Sequence, residues 1–197
     1  MATDYDKMRR DLSRFYDFSD KVVLYVGAAG KQLLDPAIRT KKLIAIDKMA
    51  DAAELEAQLR DAGRNSAIEV LATNFEEVTG HGDVLYFEFC LHEMDDPEQA
   101  LVHAKSLAPD VVVYDHAAGS EWVYYGAEED KVARSSEVMR RFGMRRCESF
   151  TAEQSFADHA QLIAKVRTQG PVAIERARQF IDAKGIVIPM AYELILL

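Results

Sequence analysis

The chain has 197 residues, 49% of them apolar and 29% charged, with a formal net charge of −9; this allows one well-buried domain over 1–197 and excludes a disordered chain. No apolar run approaches the ~18 residues that span a bilayer, so no membrane association is expected, and the acidic balance argues against nucleic acid as the main partner. Cys90 and Cys147 are too few for a disulfide framework or a zinc site, so no metal is expected and a cytoplasmic protein with reduced thiols is the default.

MATDYDKMRRDLSRFYDF is charged and amphipathic and lacks the apolar core of a secretory signal, so 1–20 is expected to carry an N-terminal helix. From Lys21 onward, β-rich runs at 22–26, 43–47, 67–71, 83–88 and 111–115 alternate with helical patterns near 30–38, 50–62 and 96–107. This order predicts an α/β fold with a mainly parallel sheet, and the near-continuous apolar runs suit strands covered by helices on both faces. Beyond them a helix is expected at 127–142, with Arg140, Arg141, Arg145 and Arg146 solvated at its end, then a strand in GMRRCESF, and then helices at 153–168 and 171–184. The final GIVIPMAYELILL reads as a last strand, with Pro189 favouring an edge or a bulge.

Two segments carry chemistry. In KVVLYVGAAGKQLL the first strand runs into a small-residue turn at Gly27–Gly30, and KKLIAIDK ends the second strand on Asp47, twenty positions after Gly27. Small residues at such a turn let backbone N–H groups approach a ligand, and an acid at the tip of the next strand can accept both hydroxyls of a ribose. The alternative is a tight corner with Asp47 as a helix cap. The second and third glycines of a dinucleotide fingerprint would fall at Ala29 and Gln32, which counts against NAD and tolerates a cofactor without phosphate. The second segment, DVLYFEFCLHEMDDPEQAL, would lie at the carboxyl end of strand four beside that ligand.

Gly-rich turn, acidic strand end, Asn74-Phe75, Leu91-His92-Glu93-Met94-Asp95-Asp96-Pro97 and SLAPDVVVYD, in this order, resemble the class I S-adenosylmethionine-dependent methyltransferases, especially small-molecule members related to the quinone and sterol enzymes, over about residues 20–116. The resemblance implies a Rossmann-like, mainly parallel seven-stranded sheet with helices on both faces; the tail, read from its own pattern, is expected to add an antiparallel last strand with a helical insertion before it. It also implies methyl transfer from S-adenosyl-L-methionine to an O, N or S nucleophile of a small molecule. In that correspondence Gly27, Ala28 and Ala29 pass under the methionine part, Asp47 takes the ribose, Lys48 and Met49 border the adenine, and Asn74 and Phe75 address its amino group and face. Glu88 is counted with this cofactor-binding set and also among the polar contacts to substrate. The departures are Tyr25, where the family carries an acid before the turn, Ala29 for a glycine, and Pro109-Asp110 without following glycines.

His92, Asp115 and His116 are the catalytic candidates, because a histidine–acid pair at the sheet rim can take a proton from a hydroxyl or thiol; His92 fixing its loop through a backbone bond is the alternative. Cys90 reads as core. Glu93, Glu121, Trp122, Tyr124 and Tyr125 are the substrate-binding candidates, since aromatic faces beside carboxylates hold cationic groups, and the aromatic residues also suit an apolar lid. The helical pair over 153–184, beginning with Gln154, Phe156 and His159, either covers the substrate side or forms a homodimer surface. An NAD-dependent oxidoreductase using the same turn, and a non-catalytic protein that keeps the adenosyl site, remain alternatives.

Overall fold

The computed structural model describes residues 2–28, 32–35, 37–48, 52–57 and 68–197. Its strands are β1 (Ala2–Thr3), β2 (Val22–Val26), β3 (Lys42–Asp47), β4 (Ile68–Ala72), β5 (Val84–Glu88), β6 (Asp110–His116), β7 (Arg146–Asp158) and β8 (Lys184–Leu196). They form one sheet in the order β1-β7-β8-β6-β5-β2-β3-β4. The run β6-β5-β2-β3-β4 is parallel throughout. β8 is antiparallel to β6 and to β7, and the two-residue β1 adds antiparallel to the far edge of β7. The sheet is therefore seven-stranded, mainly parallel and Rossmann-like, with a short eighth strand at one edge.

Helices cover both faces, and this is why the parallel strands are apolar at successive positions. α1 (Tyr5–Phe15), α4 (Glu121–Gly126), α6 (His159–Val166) and α7 (Pro171–Ala177) share one core with Val23, Tyr25, Tyr86 and Tyr114. α3 (Pro97–Leu107) and α5 (Glu129–Arg141) share the other with Leu24, Val26, Leu85 and Phe87. Residues 52–57 are helical and form α2, whose Leu55 joins the first core. The sequence also sets where helices start. Asp96 accepts the N–H groups of Glu98 and Gln99, each at 3.0 Å, and Pro97 occupies the first helical position, so the DDP triplet ends one loop and opens α3.

Several boundaries differ from the sequence-based expectation. Helix was expected near 30–38, but the described residues there form a short 3-10 turn at Gln32–Leu34. The segment between His116 and the helix expected at 127–142 contains a further helix, α4. Residues 153–158, expected to open a helix, continue β7, and the helical pair starts at His159; Ala152, Gln154 and Phe156 are buried alternately against β8, a period of two that outweighs their helix propensity. β8 is an interior strand, yet at Pro189 it pairs only with β7, because β6 joins it from Tyr192 onward, so proline's missing N–H costs no ladder bond to β6. Among the described residues no helix is long and apolar enough to cross a membrane.

Candidate functional site

β2 has β3 on one side and β5 on the other, so the strand order reverses at its carboxyl end, where open α/β sheets hold ligands. There Gly27 adopts φ +78°, and a Cβ on it would lie 2.6 Å from the Glu88 carbonyl oxygen and 2.9 Å from Cys90 Sγ. Only glycine lets the turn pack this closely on the end of β5. Asp47 closes β3, and its Oδ1 accepts the Lys48 N–H at 2.9 Å. The Thr73 N–H donates to the Asp47 carbonyl at 3.1 Å, which draws Asn74 and Phe75 to the same rim. Phe75 is buried edge-on against Phe87 and His103, while Asn74 is exposed. These residues, with Cys90 and Glu93, line a cleft of about 480 Å3. Ala28 is buried beside it, and Ala29 and Met49 lie outside the described residues.

Glu88 is behind the turn rather than in the cleft wall. Its Oε2 accepts from the Tyr25 hydroxyl, from the Gln32 N–H at 3.2 Å and from the Tyr86 hydroxyl at 3.4 Å. Burial pushes its carboxyl up to about 8, against the opposing effect of those three donors. The position before the turn thus holds a tyrosine, and the acid reaches it from the neighbouring strand.

A second cluster forms where the 3-10 turn Leu91–Glu93 meets the end of β6. Asp115 accepts the His92 and His116 backbone N–H groups at 3.1 and 2.8 Å, and its Oδ1 lies 2.5 Å from His92 Nδ1. His92 is buried; burial would lower its pKa, but the charge and hydrogen bond of Asp115 prevail and raise it to about 10. Its other nitrogen, Nε2, is 3.6 Å from Glu93 and 4.0 Å from Glu128. Glu93 bonds Lys131 at 2.6 Å, and its carboxyl is held well below the usual range, chiefly by His92. Burial lifts Glu128 to about 7 and pushes His116 down to about 4. His116 Nδ1 has no hydrogen-bond partner among the described residues.

The cluster opens on a smaller cleft of about 210 Å3, lined by Phe89, His92, His116, Trp122, Glu128 and Lys165 among others. Glu93 lines both clefts. Trp122 stacks on Phe156 at 5.9 Å, while Tyr125 packs on Phe180 and accepts from Gln179 Nε2 at 2.8 Å. The Arg176 guanidinium covers Tyr124 at 4.1 Å. Glu121 and Tyr124 are exposed, and neither they nor Tyr125 line either of these two clefts. Of the acceptor-side candidates the structure therefore gathers His92, Glu93, His116 and Trp122, with Asp115 behind the histidines, and leaves the other three outside.

Sequence reasoning places Phe89 beside the ligand only as part of the segment after strand four, and passes over Glu128 and Lys165. Phe89 is a non-glycine residue at φ +47°, and its ring is 4.7 Å from those of Tyr114 and His116; strain of this kind gathers at functional sites, and nothing in the bare sequence signals it. Glu128 had a faint signal in the Gly126-Ala127 pair before it. Ala127 is left-handed, and a Cβ on Gly126 would meet Glu128 Oε2 at 3.0 Å, so the turn is shaped to admit that carboxylate. Lys165 arrives from α6, far along the chain, with no local mark.

Sequence comparison matches no family profile and no curated protein. Comparison of folds is informative. A Bacillus halodurans protein proposed to be a methyltransferase superimposes with TM-score 0.67 at 11% identity, covering 98% of this chain and 97% of that one. A SAM-dependent methyltransferase from Aquifex aeolicus matches at 0.60 and 16% identity over 99% and 90%. A Pyrococcus horikoshii protein proposed to be an RNA methyltransferase matches at 0.59 and 13% over 96% and 80%. The fold is that of the class I methyltransferases. Within that fold, the larger cleft occupies the switch point and the smaller one adjoins it at Glu93.

Proposed function

We propose that the protein transfers a methyl group from S-adenosyl-L-methionine to a small-molecule acceptor through an O, N or S nucleophile. The observation that carries this reading is the cleft of about 480 Å3 at the switch point, which has the Asp47 carboxylate at one wall and Asn74-Phe75 at another. Its size is within the range of ordinary ligand pockets. The donor set fits an adenosyl ligand: Asp47 would accept the ribose hydroxyls, Lys48, Asn74 and Phe75 would border the adenine, and Gly27 with Ala28 would pass under the methionine part; Ala29 and Met49 join this set by the resemblance alone. Glu88 supports this end from behind, through Tyr25 and the Gln32 N–H. The bound sulfonium supplies the methyl group.

The adjoining cleft of about 210 Å3 supports a small acceptor rather than a polymer, since α6 and its following turn wall it with Lys165, Val166, Thr168 and Gln169. His92 and His116, with Asp115 behind them, form its polar end: His116, kept neutral by burial, is the candidate for taking the acceptor's proton and the charged His92 for orienting it, with Glu93 and Trp122 at its sides. Tyr124 and Tyr125 contribute through the packing of α4 rather than from the cleft lining, and Glu121 is exposed outside it. Positioning and exclusion of water supply most of the rate in this reading. The free thiols and the absence of an apolar membrane-length helix among the described residues favour a cytoplasmic setting.

Calorimetry with S-adenosylmethionine, S-adenosylhomocysteine and NAD tests the assignment. The adenosyl ligands should bind more tightly, because the turn lacks the glycines a pyrophosphate needs while the ribose acid is present. Tighter binding of NAD would overturn it in favour of an oxidoreductase. Tight adenosyl binding without turnover over a broad panel of acceptors would favour a non-catalytic binding protein.

A further inference from the structure

His92, His116 and Glu128 come from three separate places in the chain, the turn after β5, the end of β6 and the start of α5, and converge on one small cleft. One ring nitrogen of each histidine and one carboxylate oxygen of Glu128 lie within 4.8 Å of one another, and all three residues are buried. The His92 Nε2 to Glu128 Oε2 distance is 4.0 Å. His116 is 8% exposed, and its Nδ1 has no hydrogen-bond partner among the described residues. A buried imidazole nitrogen without a partner calls for an explanation.

We infer that His92, His116 and Glu128 form a binding site for one divalent first-row transition-metal ion, with Asp115 as the outer carboxylate that orients His92. Two imidazoles and one carboxylate are a ligand set that such ions take up with positions left open, whereas magnesium or calcium would call for oxygens. Asp115 makes the arrangement more specific. Its Oδ1 lies 2.5 Å from His92 Nδ1 and its Oδ2 accepts the His92 backbone N–H, which fixes the ring with Nε2 toward Glu128. This acid–imidazole pairing is the usual support behind a ligating histidine.

Charge points the same way. The carboxylates of Asp115, Glu93 and Glu128 all approach the His92 ring within 4.0 Å, with Lys131 paired to Glu93 and Lys165 on the cleft wall as the nearby cations. Metal–ligand bonds of about 2.0–2.2 Å set neighbouring donors roughly 3–3.6 Å apart, so binding draws the three side chains together by about 1 Å. The open positions of the ion would face the cleft, where a hydroxyl or thiol could bind and become acidic. The site itself stands independently of the methyl-transfer reading.

The test is binding of Zn2+, and of Co2+ as a spectroscopic surrogate, to the chelator-treated full chain. We expect one ion per chain, a rise in melting temperature with Zn2+, and visible Co2+ bands of a low-coordinate nitrogen–oxygen site. Glu128→Gln, which keeps the shape of the side chain, and His116→Ala should each weaken Zn2+ binding by at least tenfold. Asp115→Asn should weaken it by roughly 10–100-fold. His81→Ala and Cys147→Ser, at exposed positions away from the cluster, should leave it unchanged. Should His116→Ala fail to fold, Glu128→Gln and the Co2+ spectrum still decide. No stoichiometric binding by the wild-type chain, or equal binding by folded Glu128→Gln, would overturn the site. Because the readouts are ion binding and spectra, a failure here is distinct from a failure to bind the adenosyl ligands.

Discussion

Asp47 and Glu88 are both acids at strand ends, and their surroundings assign them different work. Asp47 faces the larger cleft, where a ribose would take two charge-assisted hydrogen bonds, each about 1.5–3 kcal/mol. Asp47→Ala should therefore weaken S-adenosylhomocysteine binding at least tenfold by calorimetry; an unchanged dissociation constant in a folded variant would place the ligand elsewhere. Glu88 titrates instead. Its carboxyl moves from an ordinary value of 4.5 to about 8 on folding, because burial favours the neutral form. The folded chain therefore holds a proton that the unfolded chain has released. The stability contributed by neutral Glu88 is complete below about 4.5, falls as pH rises toward about 8 and levels off above it, with a slope of at most ~1.4 kcal/mol per pH unit. Glu88→Gln cannot ionise, so the difference in urea midpoint between variant and wild type should grow in the variant's favour across that window. A constant difference would refute the titration.

Among the elements, α4 and the helical pair decide the shape of the smaller cleft. Trp122 lines only the smaller cleft and stacks on Phe156 at an interplanar angle of 21°. Trp122→Ala should reduce acceptor turnover by a larger factor than it weakens S-adenosylhomocysteine binding, and a double-mutant cycle with Phe156→Ala should show a coupling of ~0.5–1.5 kcal/mol in thermal stability. Equal losses in turnover and cofactor affinity would remove Trp122 from the acceptor wall. The difference between strands that were legible in the sequence and those that were not has a physical basis. VVLYV, KLIAID and VVVYDH are covered on both faces and show it as unbroken apolar runs. β7 is covered on one face along its second half, so its signal is the alternation of Ala152, Gln154 and Phe156 among helix-forming neighbours, whose pattern predicts a helix from 153 instead. The site divides likewise: Gly27, Asp47 and His92 sit at strand ends where sequence order locates them, whereas Glu128 and Lys165 reach the cleft only through packing between distant elements.

At the scale of the whole molecule, the N-terminal helix is part of the main core. Met8, Leu12 and Phe15 are buried, Asp11 accepts the Tyr192 hydroxyl at 2.7 Å, and Arg146 donates to the Phe15 carbonyl at 2.9 Å. Burial of about 1.5–3 kcal/mol per large apolar side chain makes the α1 contribution comparable with the whole stability of a typical domain. Deleting residues 1–15 should abolish a cooperative melt followed by circular dichroism; a transition close to the wild-type temperature would make α1 an appendage. The place of β8 bears on how the chain reaches this state. It is last among the strands in chain order but lies between β6 and β7, and β1 can pair only once β7 is in position. While β8 is missing, β6 and β7 each show an unpaired edge, and β1 has no stable strand to join. Such edges are the sites at which growing chains associate with one another. Assembly of this sheet is therefore sealed from its middle by the segment that arrives last, and chains interrupted before Lys184 should be prone to aggregation even though the parallel part, β2 to β6, is already complete.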